Sequence, residues 1–321
     1  MDKEIINKIF SNILIKCSNQ RIRERLAGLS QEKKNSFLEG KLNGFEEKHY
    51  GYLLKDLKNC EDNIRKTEGD EHSKSFREDM IRMKNEIEEG IFNYEKRIYR
   101  GYDLDKYTEN LPKFNINDFK EDKLSEDETG DVESKQLESE SSFPITSDEY
   151  GALNAYFYKE SSMINKDLDH NYGSGWEAIP KDVREHIHEV NKDLIKNIDS
   201  SINRNEGLIQ PTVIYTGTMN NNVANIHTRI GEKINMKSYI SASFHENVAK
   251  GHSNRNYEGY THNIPPIYVK FLAPTGTKGI CANGMDAHFS FEHEYLLGRG
   301  QSGTVVDIDY DTGCVTVLLE E

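Results

Sequence analysis

Two glutamates two residues apart, in Glu292-His293-Glu294, stand immediately before the apolar run Tyr295-Leu296-Leu297. In an extended segment residues i and i+2 share a face, so both carboxylates can enter one cleft. A carboxylate fixed in such a cleft stabilises developing positive charge, and an acidic pair suits a planar cation such as a guanidinium. A charged pair ahead of a strand is also the ordinary pattern of a solvated face. The neighbouring segments decide between the two.

Upstream, Ser238-Tyr239-Ile240-Ser241-Ala242-Ser243-Phe244 alternates small hydroxyls with apolar residues, as a strand does, and Glu246-Asn247-Val248-Ala249-Lys250 follows as a helix start. Next, Ile267-Tyr268-Val269-Lys270-Phe271 leads through Ala273-Pro274-Thr275-Gly276 to Gly279-Ile280. The glutamate pair and Gly298-Arg299-Gly300 close the series.

These segments need a frame. Thr146, Ser147 and Asp148 offer an N-cap to a helix carrying Tyr150, Leu153 and Phe157 toward Leu168. A second helix starts after Pro180, with Val183, Ile187, Val190, Leu194 and Ile198 on its predicted apolar face. Short β-rich runs follow at Thr212–Tyr215, Ser238–Phe244, Ile267–Phe271, Lys278–Cys281, Glu294–Leu297, Thr304–Ile308 and Val315–Leu319. Helices first and strands afterwards predict an α+β domain with a mostly antiparallel core.

Ahead of it, residues 1–119 read as a helical module, with Ile5, Ile9 and Ile13 in one stripe and further helices around Phe45–Leu57 and Phe76–Tyr99. The basic residues Lys8, Lys16, Arg21, Arg23 and Arg25 beside the first stripe fit membrane or partner contact. Residues 120–142 are dominated by Glu and Asp and are expected to be a solvated acidic linker, leaving 143–321 as the second domain.

The ordered set from the Ser241 strand to Glu-x-Glu-Tyr-Leu-Leu resembles the exoenzyme family of bacterial mono-ADP-ribosyltransferases, which carries an Arg, a Ser-Thr-Ser and a Glu-x-Glu motif. The resemblance covers roughly residues 143–321. It implies the ADP-ribosyltransferase fold, a mostly antiparallel two-sheet core with N-terminal helices, here preceded by a helical domain. It also implies transfer of ADP-ribose from NAD to a host protein side chain, with release of nicotinamide and no metal. Glu294 is then the catalytic glutamate, stabilising the oxocarbenium-like centre, and Ser241 positions it. Glu292 orients or deprotonates the nucleophile, and a glutamate in that place goes with arginine as acceptor. Contacts to NAD fall to Tyr215, Thr216 and Gly217 on the first strand, Asn165 on the opening helix, Ser243, Phe244, and Arg255 in the overhanging loop.

Two positions depart from the family pattern. Thr216 stands where the family has the arginine that holds an NAD phosphate, and Asp169 stands where the first helix often supplies another. Charge-assisted hydrogen bonds are worth ~1.5–3 kcal/mol each, so NAD binding needs other cations, for which Arg255, Lys237 and Arg229 are candidates. Three alternatives stay open: a different acceptor (Thr, Gln or Asn), NAD hydrolysis with water, and an inactive binding module that kept the fold.

Composition narrows the partners. The net charge of −14 over 321 residues disfavours nucleic acid, which needs a basic surface. Cys17, Cys60, Cys281 and Cys314 form no C-x-x-C pair, and His186 and His188 lack metal-ligand spacing. The start of the chain shows no secretory signal pattern, so release by a signal-peptide-independent route and action in a host cytoplasm are expected. Gly298-Arg299-Gly300-Gln301-Ser302-Gly303 matches a kinase glycine loop in letters but reads better as a turn between strands.

Overall fold

The computed structural model describes residues 44–70, 73–99, 111–122, 130–169, 176, 179–218, 223–224, 228–255, 267–282, 292–309 and 312–320. The apolar stripe of Ile5, Ile9 and Ile13 and its basic flank lie outside them. The chain divides into two compact units, Met1–Thr108 with Tyr260–Pro265, and Glu109–Gly259 with Pro266–Glu321.

The described part of the first unit is a pair of helices, α1 (Gly44–Lys66) and α2 (Lys74–Tyr99). Phe45, Tyr50, Leu53 and Cys60 of α1 are buried, as are Ile87, Ile91 and Tyr94 of α2. The Tyr50 and Tyr94 rings meet edge to face at 5.9 Å, and His49 Nδ1 lies 2.6 Å from the Tyr94 hydroxyl.

The second unit begins at Glu109, and the described residues within 120–142, expected to be a solvated acidic linker, are built into its fold instead. Residues Asp131–Glu140 form helix α3, whose first turn is capped from outside by Asp122: its carboxylate accepts from the Val132 and Glu133 amides, each at 3.1 Å. Lys120 bridges to Thr212 of the sheet. Glu133 and Gln136 are buried, and Glu140 accepts from the Cys281 amide at 2.9 Å. Composition misleads here because each of these polar side chains has a partner in the core, which removes the cost of burial.

Helix α4 (Ser147–Ala155) starts at Thr146 with a full capping box to Glu149. The Glu149 carboxylate also accepts from Ser200 Oγ at 2.7 Å and from Arg204, locking α4 to α6 (Lys181–Arg204). Between α4 and α5 (Ser161–Leu168) the chain passes one π-helical turn, Tyr156–Glu160. The expected apolar face of α6 holds only in its second half. Val183 and Val190 are exposed, while Asn191, Ile198, Ser201 and Ile202 are buried.

The helices precede a sheet of eight strands in the order β2-β7-β8-β4-β1-β3-β6-β5. The strands are β1 (Thr212–Thr218), β2 (Lys233–Asn235), β3 (Ile240–Ser243), β4 (Ile267–Ala273), β5 (Gly279–Cys281), β6 (Glu294–Leu297), β7 (Ser302–Asp309) and β8 (Cys314–Leu319), and α7 (Glu246–Arg255) follows β3. All pairs are antiparallel except β4 with β8. A five-strand half and a three-strand half (β3, β6, β5) meet at the single register pair Tyr215↔Ser243. One core cluster lies under α4–α6 around Leu153, Tyr156, Ile198, Tyr239 and Leu296. A second surrounds Tyr215 with Val213, Ala249, Tyr268 and Leu272. The glycine-rich stretch before β7 is a turn, with Gly300 at φ 83° and Arg299 forked onto Asp199 of α6.

Candidate active site

The serine strand and the glutamate strand are direct neighbours. β3 and β6 pair antiparallel with Ser243 opposite Glu294 and Ser241 opposite Leu296. On one face Ser241 therefore reaches diagonally toward Glu294, where its hydroxyl favours the ionised carboxylate. Tyr295, Leu296 and Leu297 are fully buried behind it, so the strand has no freedom to slip. The Tyr295 ring lies on Gly279, where any Cβ would come within 2.3 Å of it, and its hydroxyl donates to the Thr277 carbonyl at 3.0 Å.

Glu294 is buried, and burial raises its pKa from the ordinary 4.5 to about 7; nearby Glu292 adds to the rise, while the Ser241 hydroxyl and the His252 imidazole oppose it. Such a carboxylate is poised to change charge near neutrality, as a group meeting a transient cation requires. Glu292 is only partly buried, and its Oε1 lies 3.6 Å from His252 Nε2 on α7.

Strand β1 forms the other wall. Thr216 Oγ1 donates to the Ser241 carbonyl at 2.7 Å. At Gly217 a Cβ would lie 2.0 Å from the Ala249 carbonyl oxygen and 2.8 Å from His252 Cβ. Only glycine lets α7 sit this close to β1, which is how His252 comes to stand beside the glutamates.

A comparison with protein families matches residues 127–320 to the ADP-ribosyltransferase exoenzyme model. The chain belongs to that family. Its members are NAD-dependent transferases, and this is the class of enzyme the chain represents. The match starts inside the segment expected to be a linker and takes in α3. Similar solved structures include an ADP-ribosyltransferase from Clostridium botulinum, at 19% identity and TM-score 0.44 over 63% of this chain and 99% of that one. The Clostridium limosum C3 exoenzyme follows at 20% identity and TM-score 0.42, over 63% and 98%. Vis toxin from Vibrio Splendidus gives 18% and 0.43, over 59% and 81%. No curated protein sequence matches the chain.

Within the transferase domain the expected site residues divide. Glu292, Glu294, Ser241, Thr216 and Gly217 come together around β1, β3, β6 and α7. Ser243 is buried, and its Oγ accepts from the His245 amide at 3.0 Å, a turn-forming role. Tyr215 and Phe244, expected to touch NAD, are 1% exposed core residues instead. The Tyr215 hydroxyl donates to Glu121, and Phe244 packs edge to face on Tyr295 at 5.8 Å. Strand alternation explains Tyr215: Thr216 at the next position faces the opposite side. Asn165 on α5 is buried, with Nδ2 donating to the Tyr156 hydroxyl at 2.9 Å and Oδ1 without a hydrogen bond. Arg255 ends α7, and its side chain lies outside the described residues. Asp169 is buried, and so is Arg229, which donates to the Thr228 carbonyl. Lys237 is exposed.

A further residue that sequence reasoning passed over stands beside the glutamates. His252 lies one turn along α7 from Val248, in an unremarkable polar helix start. Its only sequence signal was Gly217, whose missing side chain admits a helix whose position no local pattern reveals.

Proposed function

We propose that the chain moves ADP-ribose from NAD onto an arginine side chain of a host protein, with Glu294 as the catalytic glutamate. The observation that carries this reading is the buried Glu294 held by Ser241, with Glu292 at a more open position beside His252. Glu294, once ionised, stabilises positive charge at the ribose carbon as nicotinamide leaves, in surroundings dry enough to make that interaction strong. Ser241 positions it. Glu292 receives the incoming guanidinium, whose planar fork fits a carboxylate. Asn165, with a buried acceptor left unpaired, is a further contact for NAD.

Thr216 favours a second reading. Its hydroxyl is committed to the Ser241 carbonyl, so β1 brings no cation to a phosphate, and a chain binding NAD weakly or modifying another side chain is consistent with that. Release by a signal-peptide-independent route and action in a host cytoplasm belong to the same proposal. Among the described residues no helix is long and apolar enough to cross a membrane.

The test is incubation of the purified chain with labelled NAD and a host lysate, beside Glu294→Ala. Label on protein from the wild type alone, mapped to arginine, is the expected result. Label on another side chain replaces the acceptor. Absence of both labelled protein and released nicotinamide overturns the proposal.

A further inference from the structure

Directly behind the glutamate pair, three side chains from three distant segments converge: Glu133 of α3, His245 after β3, and His293 between the two glutamates. All three are buried, and their ligand-type atoms lie within 4.8 Å of one another. His293 Nδ1 is 2.7 Å from Glu133 Oε2, and His245 Nε2 is 3.8 Å from the same oxygen. The two imidazole rings stack at 4.2 Å. His245 is 1% exposed, and neither of its ring nitrogens has a hydrogen bond.

We propose that Glu133, His245 and His293 form a binding site for a divalent transition-metal ion of the zinc class. Two imidazoles and a carboxylate are a donor set suited to such ions. Bonds of ~2.0–2.2 Å in tetrahedral arrangement space the donor atoms ~3.3–3.5 Å apart, between the 2.7 and 3.8 Å separations found here. Closing the set on one ion turns the two stacked rings so that a nitrogen of each meets the Glu133 carboxylate. Without an ion, His245 buries a donor and an acceptor with nothing to satisfy them, a condition folded proteins rarely tolerate.

The backbone is shaped for the same end. His293 has φ 47°, the one non-glycine residue with positive φ among the described residues. In an unbroken strand side chains alternate, and the left-handed residue interrupts that course just ahead of β6. An ion on His293 anchors the peptide that links Glu292 to Glu294 and ties it to α3 and to the end of β3. Its role is to position the pair, and it touches no reacting atom. No local spacing signals the site, because its ligands lie at positions 133, 245 and 293.

The experiment uses the tag-free full chain, stripped with a chelator and titrated with Co2+ and then Zn2+. The expected result is one Co2+ per chain, with the visible absorption of a four- or five-coordinate site, displaced by Zn2+. X-ray absorption of the zinc-loaded wild type should show two imidazoles and oxygen. His245→Phe, which fills the same space, should weaken binding by more than the ~10–100-fold seen when only a ligand's supporting partner is lost. Glu133→Gln, which keeps the shape, serves if the first variant does not fold. A wild type that binds no Co2+, or one whose zinc lacks imidazole ligands, overturns the proposal. So does binding that survives unchanged in a folded variant. All of these readouts are independent of ADP-ribose transfer.

Discussion

The hydroxyl of Thr216 donates a 2.7 Å hydrogen bond to the carbonyl of Ser241, the residue whose own hydroxyl holds Glu294. Two halves of the sheet that share a single register pair are thereby tied a second time. Thr216→Val keeps the shape and removes this bond. It should cost about 1 kcal/mol, because a part-buried carbonyl loses its partner. Urea unfolding read by circular dichroism measures it, and an unchanged midpoint would mean that the bond contributes nothing.

Glu294 should impose a pH profile on the reaction. With its pKa near 7, the ionised form is a minority at pH 6, so kcat/KM for NAD should rise through neutrality and level off above it. Glu294→Gln should lose at least ~10²-fold and the rising limb with it. Stability moves the other way. A raised carboxyl pKa favours the folded state fully below 4.5, and that contribution is lost as pH rises through about 7. The wild-type melting temperature should therefore fall relative to Glu294→Gln across that interval.

The neighbours of Glu294 should shift that profile in opposite directions. The Ser241 hydroxyl lowers its pKa and the Glu292 carboxylate raises it. Ser241→Ala should move the rising limb to higher pH, and Glu292→Gln should move it lower. Carbon-13 titration of the Glu294 carboxyl in each variant checks both signs. A common direction of shift would mean that the variants act through the backbone and not through the charge.

Glu149 is the acid-side counterpart. Burial acts to raise its pKa, but hydrogen bonds from Thr146, Ser200 and Arg204 outweigh it and hold the group at about 2. Its contribution is present above 4.5 and lost as pH falls through about 2. Arg204 is nearly half exposed, so the ion pair itself adds only ~1 kcal/mol after screening. Glu149→Gln should lower the melting temperature at neutral pH and narrow that gap in acid. A constant difference from neutral to strongly acidic solution would exclude this linkage.

The site was legible where its residues follow strand alternation. Glu294 and Ser241 lie on short strands whose apolar partners, Tyr295 to Leu297 and Ala242, announce them, whereas Glu292 stands outside β6, across the left-handed His293. Thr146 likewise announces its helix. The same alternation was not carried one step further to separate Tyr215 from Thr216. What stayed hidden depends on distant partners. Acidic composition spoke for solvent around Glu133 and Glu140, whereas a histidine and a backbone amide had already been found for them in the fold. Strand β2, three residues long, exists because β7 offers it an edge. His252 stands where it does because Gly217 is small.

Strand β8 is the latest of the eight along the chain, yet it lies between β7 and β4. Until residues 314–319 have left the ribosome, both of those strands keep a bare edge and the larger half of the sheet has a gap at its middle. Closure then demands a parallel pairing with β4 across more than forty residues, a slow, late event in folding. The nascent chain consequently stays open for most of its synthesis.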